Sequence, residues 1–161
     1  MIRISLVLFA ALVACGPGSK GGPTMNNHMS SGLEPTPEQS AVVSTDILAR
    51  EPLANNVQVK HILIGWKGTE AHDPRDDART KADAEAYVKK VLDKLKAGAD
   101  FDQLMKEDSE DPGSSTTGRS YAVSPDAQVV IEFKQLGLRL KVGEIGVVQS
   151  DYGFHIMKRV E

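Results

Sequence analysis

Apolar and polar residues alternate from Asn55 to Trp66, which is the pattern of a β-strand. Strand geometry divides these side chains between two faces, with Val57, Val59, His61 and Leu63 on one and Ile62, Ile64 and Trp66 on the other. A histidine on an apolar face needs hydrogen-bond partners for both ring nitrogens. We therefore expect His61 to meet other polar side chains in the core or in a pocket.

Helical periodicity follows this strand. The segment from residue 80 to Gly98 has one apolar face, formed by Ala84, Val88, Val91 and Leu95. A short second helix is predicted after Asp100, with Asp100 as its N-cap and Gln103 in the capping-box position. Ser124 and Pro125 predict the start of a third helix, which Gly137 ends.

The remaining segments predict turns and short strands. Residues 109–120 contain turn-forming residue types throughout, and they precede a brief strand, "YAV". Residues 144–160 predict two strands around a turn at 150–153. This order of elements favours an α+β fold with a small, mostly antiparallel sheet covered by helices. If the first and last strands are neighbours, His61 and His155 can meet.

The N-terminal third of the chain has a different pattern. Arg3 precedes an apolar run of eleven residues, Ile4–Ala14, which is too short to span a bilayer but matches a secretory signal. The run ends in "LVAC", which resembles the lipobox of bacterial lipoproteins. This resemblance implies that residues 1–14 are removed and that Cys15 is lipidated. The alternative is an ordinary cleaved signal followed by a cysteine without a special role.

A linker is predicted between this signal and the folded part. Residues 16–37 are rich in glycine, proline, serine and asparagine, which is typical of a flexible linker. Residues 38–56 have some helical character, but we expect them to form a weakly ordered lead-in. The predicted organisation is a signal peptide at 1–14, lipidated Cys15 and a flexible linker at 15–54, and one folded domain at 55–161.

Charge and cysteine content exclude several classes of partner and site. The net charge is −3, from 19 basic and 22 acidic residues, and no basic stripe indicates nucleic-acid binding. The single cysteine excludes an intramolecular disulfide and a cysteine-based metal cluster. A metal site formed by His61, His72 and His155 is not expected, because His72 lies in a loop and no carboxylate cluster has ligand spacing.

Four segments in order resemble the parvulin family of peptidyl-prolyl cis-trans isomerases: "VKHILI", "LKAGADFDQLMKEDSEDPGS", "LKVGEIGVV" and "YGFHIMKRV". The resemblance extends from about Val57 to Val160. It implies a parvulin-like fold of the FKBP-like superfold, with a four-stranded sheet covered by about four helices. It also implies isomerisation of X-Pro bonds, for which no cofactor and no metal are expected.

The resemblance also implies a site. Its candidate catalytic residues are His61, Asp111 and His155, and its candidate substrate-binding residues are Tyr121, Gln128, Val129 and Phe133. Asp111 falls where some members of the family carry a cysteine. Taken alone, each histidine could be a structural residue and Asp111 a turn residue, so both roles remain open for them.

Departures from the family occur at "GRSYAV", residues 118–123, where Arg119 and Ala122 replace glycines. Glycine adopts backbone conformations that other residues do not reach cheaply. Val129 also replaces a usual methionine and makes the pocket floor shorter. Besides isomerisation of X-Pro bonds, two functions therefore remain open. One is a chaperone without useful turnover, and the other is an envelope protein that uses the domain only for docking.

The function implied first is a foldase that isomerises X-Pro bonds of unfolded exported proteins without a covalent step. The lipid on Cys15 would hold it in the bacterial cell envelope, on the periplasmic side. Gly16 in place of aspartate favours the outer membrane under the sorting rule of enteric bacteria.

Overall fold

The computed structural model describes residues 39–161. The predicted signal peptide, Cys15 and most of the predicted linker lie outside these residues. Five α-helices occur in the described part: α1 (Thr45–Leu48), α2 (Lys81–Lys96), α3 (Phe101–Asp108), α4 (Pro112–Thr117) and α5 (Ile131–Gly137). One turn of 3-10 helix lies at Asp76–Ala78. Within residues 39–161, no helix is both long enough and apolar enough to cross a membrane.

The sheet has four antiparallel strands in the order β2-β1-β4-β3. The strands are β1 (Val57–Ile64), β2 (Tyr121–Val123), β3 (Ile145–Ser150) and β4 (Gly153–Arg159). The first and last strands are therefore the central pair, and their register sets Leu63 opposite His155 and His61 opposite Met157. The predicted α+β fold with a four-stranded, mostly antiparallel sheet is confirmed. The described residues form five α-helices, where about four were expected.

Two apolar layers cover the two faces of the sheet. Ile62, Ile64, Phe154 and Ile156 pack with α2 and α3 on one face, while Val59 and Met157 pack with α5 on the other. This division follows from the alternation of side chains along a strand. It confirms the face predicted for each residue of β1, and it leaves His61 and His155 on the α5 side.

The caps of α2 and α3 agree with the sequence in part. Thr80 and Asp83 form a complete capping box at the start of α2. The Asp100 carboxylate accepts a hydrogen bond from the backbone N–H of Gln103, as predicted for an N-cap. The capping box predicted for α3 is wrong, because the Gln103 side chain donates to Glu107 and does not return to Asp100.

Two segments differ from the prediction. Residues 112–117, predicted to be turns, form α4, because Asp111 caps the helix, Pro112 occupies its first position and Gly118 ends it with a φ of 66°. The third helix begins at Ile131 and not at Pro125, because Ser124 closes only a turn to Ala127. The β-branched Val130 is extended, with a ψ of 147°, so the helix cannot include it.

Residues 40–54, predicted to be weakly ordered, pack against the domain. Val42, Val43 and Ile47 are buried in the two apolar layers. Ser44 binds the outer edge of β3, since its backbone N–H donates to the Val147 carbonyl and its hydroxyl accepts from the Val147 N–H. The lead-in is therefore part of the packed structure, because it covers an edge strand that would otherwise expose unpaired backbone groups.

Candidate functional site

A cavity of about 250 Å³ lies on the α5 side of the sheet. Its lining comes from β1, β2, β4, α5, the start of α4, the segment between β2 and α5, and the β3–β4 turn. It consists of His61, Leu63, Asp111, Tyr121, Gln128, Val129, Val130, Phe133, Tyr152 and His155. All seven residues predicted to form the site are thus brought together in one place. Sequence reasoning did not identify Leu63, Val130 and Tyr152.

The two histidines form a buried pair at the floor of this cavity. His61 is 5% exposed and His155 is 4% exposed, and their Nδ1 atoms are 3.2 Å apart. Their rings are stacked, with centroids 5.4 Å apart and an angle of 22° between the planes. The central position of β1 and β4 in the sheet brings the rings together, so the pair depends on the strand register.

Hydrogen bonds continue from the pair in both directions. His61 Nε2 lies 3.0 Å from Asp111 Oδ2, and His155 Nε2 lies 2.7 Å from the Ser150 hydroxyl. A carboxylate only accepts, so His61 donates from Nε2 to Asp111. One imidazole of the pair donates through Nδ1 and the other accepts, and the Ser150 hydroxyl is the partner of His155 Nε2. Each ring nitrogen therefore has a partner.

Asp111 is the acceptor at one end of this row of hydrogen bonds. Its Oδ2 also accepts from the Tyr121 hydroxyl at 2.7 Å and from the Ser114 hydroxyl at 2.6 Å, while Oδ1 accepts from the Gly113 N–H. Burial raises the pKa of Asp111, but the hydrogen bonds from His61, Ser114 and Tyr121 outweigh it and hold the pKa well below its usual range. The site therefore keeps a negative charge at its rim.

Burial raises the pKa of a carboxyl group such as that of Asp111, but it lowers the pKa of a histidine such as His155. It lowers the pKa of His155 to about 3, with a smaller contribution in the same direction from His61. His155 is thus neutral throughout the physiological range. Burial and the hydrogen bond to Asp111 also raise the pKa of Tyr121, which stays a protonated phenol and keeps donating to the carboxylate.

Aromatic edges form the walls above the histidines. The Phe133 ring is perpendicular to His61, at 90° with centroids 5.0 Å apart, and nearly perpendicular to His155, at 83° and 5.5 Å. Tyr121 meets His61 in the same way, at 88° and 5.1 Å. An apolar, aromatic concavity of this kind suits a small ring that must leave water.

The altered loop before β2 keeps an ordinary backbone. Gly118 adopts a positive φ, whereas Arg119 and Ala122 do not, so neither position requires glycine here. Gly113 is needed instead, because a Cβ atom at that position would collide with the Tyr121 hydroxyl and lie 3.2 Å from Arg119 Nη2. The loss of glycine at Arg119 and Ala122 therefore leaves this backbone undistorted.

A family model described as the PPIC-type PPIase domain matches residues 45–161. The chain belongs to this family. The resemblance to parvulins is therefore confirmed, over a range that includes every candidate site residue and the packed helix α1.

Similar proteins carry this domain within longer chains. The foldase protein PrsA of Geobacillus kaustophilus is 43% identical over 75 residues, which are 46% of this chain and 27% of that protein. The chaperone SurA of Nitrosospira multiformis is 37% identical over 111 residues, which are 67% of this chain and 23% of that protein. The chain thus spans about a quarter of the length of these relatives.

Solved structures share the architecture of the PPIC-type domain. The peptidylprolyl isomerase PrsA from Bacillus cereus is 30% identical with a TM-score of 0.52, and the match covers 74% of this chain and 39% of that one. The solution structure of TbPIN1, 24% identical, matches over its whole length and 68% of this chain with a TM-score of 0.57. The latter likeness supports the fold alone.

Proposed function

We propose that this protein is a peptidyl-prolyl cis-trans isomerase that seats the proline ring of a client in the cavity above His61 and His155. The observation that carries the proposal is the hydrogen-bonded row of Asp111, His61, His155 and Ser150 beneath an aromatic, apolar cavity. The candidate roles are catalytic for His61, Asp111 and His155. Tyr121, Gln128, Val129 and Phe133 bind the substrate.

The chemistry requires rotation about the C–N bond of an X-Pro amide and breaks no bond. The barrier is roughly 20 kcal/mol, because the amide loses resonance as it twists. An enzyme lowers this barrier by binding the twisted form better than either planar form. Phe133, Val129 and Tyr121 hold and desolvate the ring, and the Asp111 carboxylate supplies negative potential beside the twisting amide.

The hydrogen-bonded row gives the histidines a supporting role. Both rings are fully hydrogen-bonded to their neighbours, so neither is free to act as a general base. The hydrogen bond from His61 stabilises the charged form of Asp111, and the two rings form a rigid floor of the cavity. A covalent step is not part of the proposal, because a carboxylate that accepts several hydrogen bonds is a poor nucleophile.

The test of this proposal is turnover of short X-Pro peptides by the purified full chain. Asp111→Asn keeps the shape of the side chain but removes its charge, and we expect kcat/KM to fall by about tenfold or more, the equivalent of about 1.4 kcal/mol in the barrier. Asp93→Asn makes the same change at an exposed position of α2, on the other face of the sheet, and serves as the matched control. Absence of turnover in the unsubstituted protein would refute the proposal.

A second candidate function is a chaperone that binds unfolded segments without useful turnover. The shorter Val129 favours it, since this residue lines the cavity and replaces the methionine of the family pattern. Suppression of client aggregation by a protein that leaves X-Pro peptides untouched would support the chaperone and exclude the foldase.

We further propose that the protein works in the bacterial cell envelope, on unfolded exported proteins, and is held on the periplasmic side by lipid on Cys15. The apolar run before "LVAC" and the similarity to a foldase and a chaperone support this. Gly16 favours the outer membrane. We expect Cys15→Ser to abolish lipidation and to move the protein out of the membrane fraction. Mass spectrometry showing an unmodified Cys15 on a soluble mature chain would contradict the anchor.

A further inference from the structure

Arg119 places a positive charge beside the cavity. It lies between α4 and β2, at a position where the family pattern has glycine. Its side chain is exposed, and its guanidinium lies over the ring of Tyr121, 5.0 Å from the centroid. Stacking of this kind holds a planar guanidinium in place while leaving its N–H edges open.

Every other arginine in residues 39–161 has a carboxylate or a backbone carbonyl as acceptor, whereas the nearest acceptor of Arg119 is the neutral hydroxyl of Tyr121. Arg50, Arg75 and Arg79 form ion pairs with carboxylates. Arg139 and Arg159 donate to backbone carbonyl oxygens. Among these described residues, no carboxylate lies within ion-pair distance of Arg119, so its charge is available to a ligand.

The surroundings fix this charge at one end of the cavity. Tyr121 lines the cavity with the same ring on which the guanidinium rests, and its hydroxyl is bound to Asp111. On the other side, Arg119 Nη2 lies close to Gly113, where a Cβ atom would be only 3.2 Å away. Asp111 attracts Arg119 through space, but its Oδ2 accepts from His61, Ser114 and Tyr121, and neither of its oxygens lies within ion-pair distance of the guanidinium.

We propose that Arg119 is a specificity-determining residue that recognises a carboxylate side chain next to the proline of the client. The proposal rests on the proposed seating of the proline ring in the cavity. A glutamate or aspartate flanking that ring reaches the rim formed by Tyr121, where the guanidinium offers two parallel N–H donors to a carboxylate. Clients with acidic residues beside proline are then preferred to neutral ones.

The expected preference is modest, because the pair is exposed to water. Ion pairs at exposed positions change binding by about two- to fivefold, and salt weakens them. We therefore expect kcat/KM to be about two- to fivefold higher for a peptide with glutamate beside proline than for its glutamine counterpart at low ionic strength. The ratio falls towards one in about 0.5 M NaCl, where the screening length is only a few ångströms.

The experiment compares Glu and Gln peptides, with the varied residue before or after the proline, on the full chain and on variants of residue 119. Arg119→Gln should bring the Glu/Gln ratio to about one, Arg119→Lys should keep it above one, and Arg119→Glu should bring it below one. Lys89→Gln removes the same charge from an exposed position of α2 and should leave the ratio unchanged. A ratio of one at both positions in the unsubstituted protein, or a preference that survives Arg119→Gln, would overturn the proposal.

Peptide binding, measured by titration calorimetry on the same proteins, separates this proposal from the proposed isomerase function. If no peptide is turned over but the Glu peptide binds more tightly and Arg119→Gln abolishes the difference, the specificity proposal holds and the isomerase function fails. If peptides are turned over without a Glu/Gln difference, the isomerase function holds and the role of Arg119 fails. If no peptide is bound or turned over, both fail.

Discussion

At the scale of single residues, the Asp111 side chain has two structural roles. It caps α4 through the backbone N–H groups of Gly113 and Ser114, and it accepts the hydrogen bond from His61. One carboxylate therefore orients a helix and the histidine pair together. Because the cap fixes the rotamer of Asp111, the charge at the cavity rim has a defined position.

The buried histidine pair predicts how stability depends on pH. The folded-state pKa of His155 is about 3, whereas an unfolded histidine has a pKa near 6.5. Above pH 6.5 both states are neutral and His155 causes no pH dependence. Below it only the unfolded chain takes up the proton, so the free energy of unfolding should fall by up to about 1.4 kcal/mol per pH unit towards pH 4.5.

Urea unfolding at pH 7.0 and pH 4.5 measures this effect. His155→Asn retains a polar group but cannot titrate, so its loss of stability between the two pH values should be smaller than that of the unsubstituted protein. His72→Asn, at an exposed position in the loop after β1, is the matched control and should leave the pH dependence unchanged. Equal pH dependence in the protein and in His155→Asn would show that His155 is not held neutral.

The residues of the site could be identified from the sequence because a motif carried them. His61 and His155 were also expected to face one another from strand alternation and the α+β pattern. Ser150 could not be predicted as the last member of the row, because a serine at a turn has no periodic signal. Its role depends on where the β3–β4 turn places its hydroxyl, 2.7 Å from His155 Nε2.

At the scale of elements, the loop between β1 and α2 is anchored by a buried ion pair. The Glu110 side chain is 0% exposed, and Arg79 Nη1 lies 2.6 Å from Glu110 Oε1 and 2.9 Å from the Gly65 carbonyl oxygen. The Gly65 N–H donates to the same carboxylate. Glu110 immediately precedes Asp111, so this pair ties the loop to the segment between α3 and α4 that presents the candidate catalytic residue.

Breaking this pair should be costly. Arg79→Met leaves the buried carboxylate of Glu110 without its nearest counter-charge, since the remaining cation, Arg75, lies 3.7 Å away, and we expect the free energy of unfolding to fall by about 3 kcal/mol. Arg79→Met combined with Glu110→Met removes both charges and should recover a large part of the loss. Lys96→Met breaks an ion pair with Asp93 in which both side chains are about 75% exposed, and should cost less than about 1 kcal/mol. Additive costs in the double variant, measured by chemical denaturation, would argue against coupling.

Elements with strong periodicity or a clear cap were predictable, and elements defined by tertiary contacts were not. Helix α2 has both a capping box and an apolar stripe, and it forms where it was predicted. Helix α4 has the sequence PGSSTT, whose residues favour turns, and it forms because Asp111, Pro112 and Gly118 supply a start and an end. The late start of α5 likewise reflects the extended Val130, which lines the cavity.

At the scale of the whole molecule, the folded unit begins before the first strand of the sheet. Residues 40–54 contribute three buried apolar side chains and cover the edge of β3. Arg50 adds a contact to Glu144, with both carboxylate oxygens within 2.9 Å of its Nη1. The sequence did not reveal this packing, because a short segment with one helical turn resembles a linker in composition and shows its apolar face only against the sheet.

Truncated chains that begin at residue 55 or at residue 39 test whether residues 40–54 stabilise the domain. A chain that begins at residue 55 loses Val42, Val43 and Ile47 from the core, and burial of each is worth about 1.5 kcal/mol or more. We expect its Tm to lie at least about 10 °C below that of a chain that begins at residue 39. Differential scanning calorimetry of the two chains makes the comparison, with Leu53→Ala, at a 51% exposed position, as a control for changes in this segment that do not affect the core. Equal Tm values would show that the lead-in does not stabilise the domain.

The aspartate at the rim of the cavity has a consequence for chemical durability. A cysteine at position 111 would offer peroxides and other oxidants a thiolate in the site itself, whereas a carboxylate has no sulfur to oxidise. The only cysteine of the chain is Cys15, and the two methionines among residues 39–161, Met105 and Met157, are fully buried. The domain from residue 39 onward therefore presents neither a thiol nor an accessible thioether to an oxidising environment. Oxidants that would inactivate a site with a cysteine at position 111 should leave the side chains of this site unmodified.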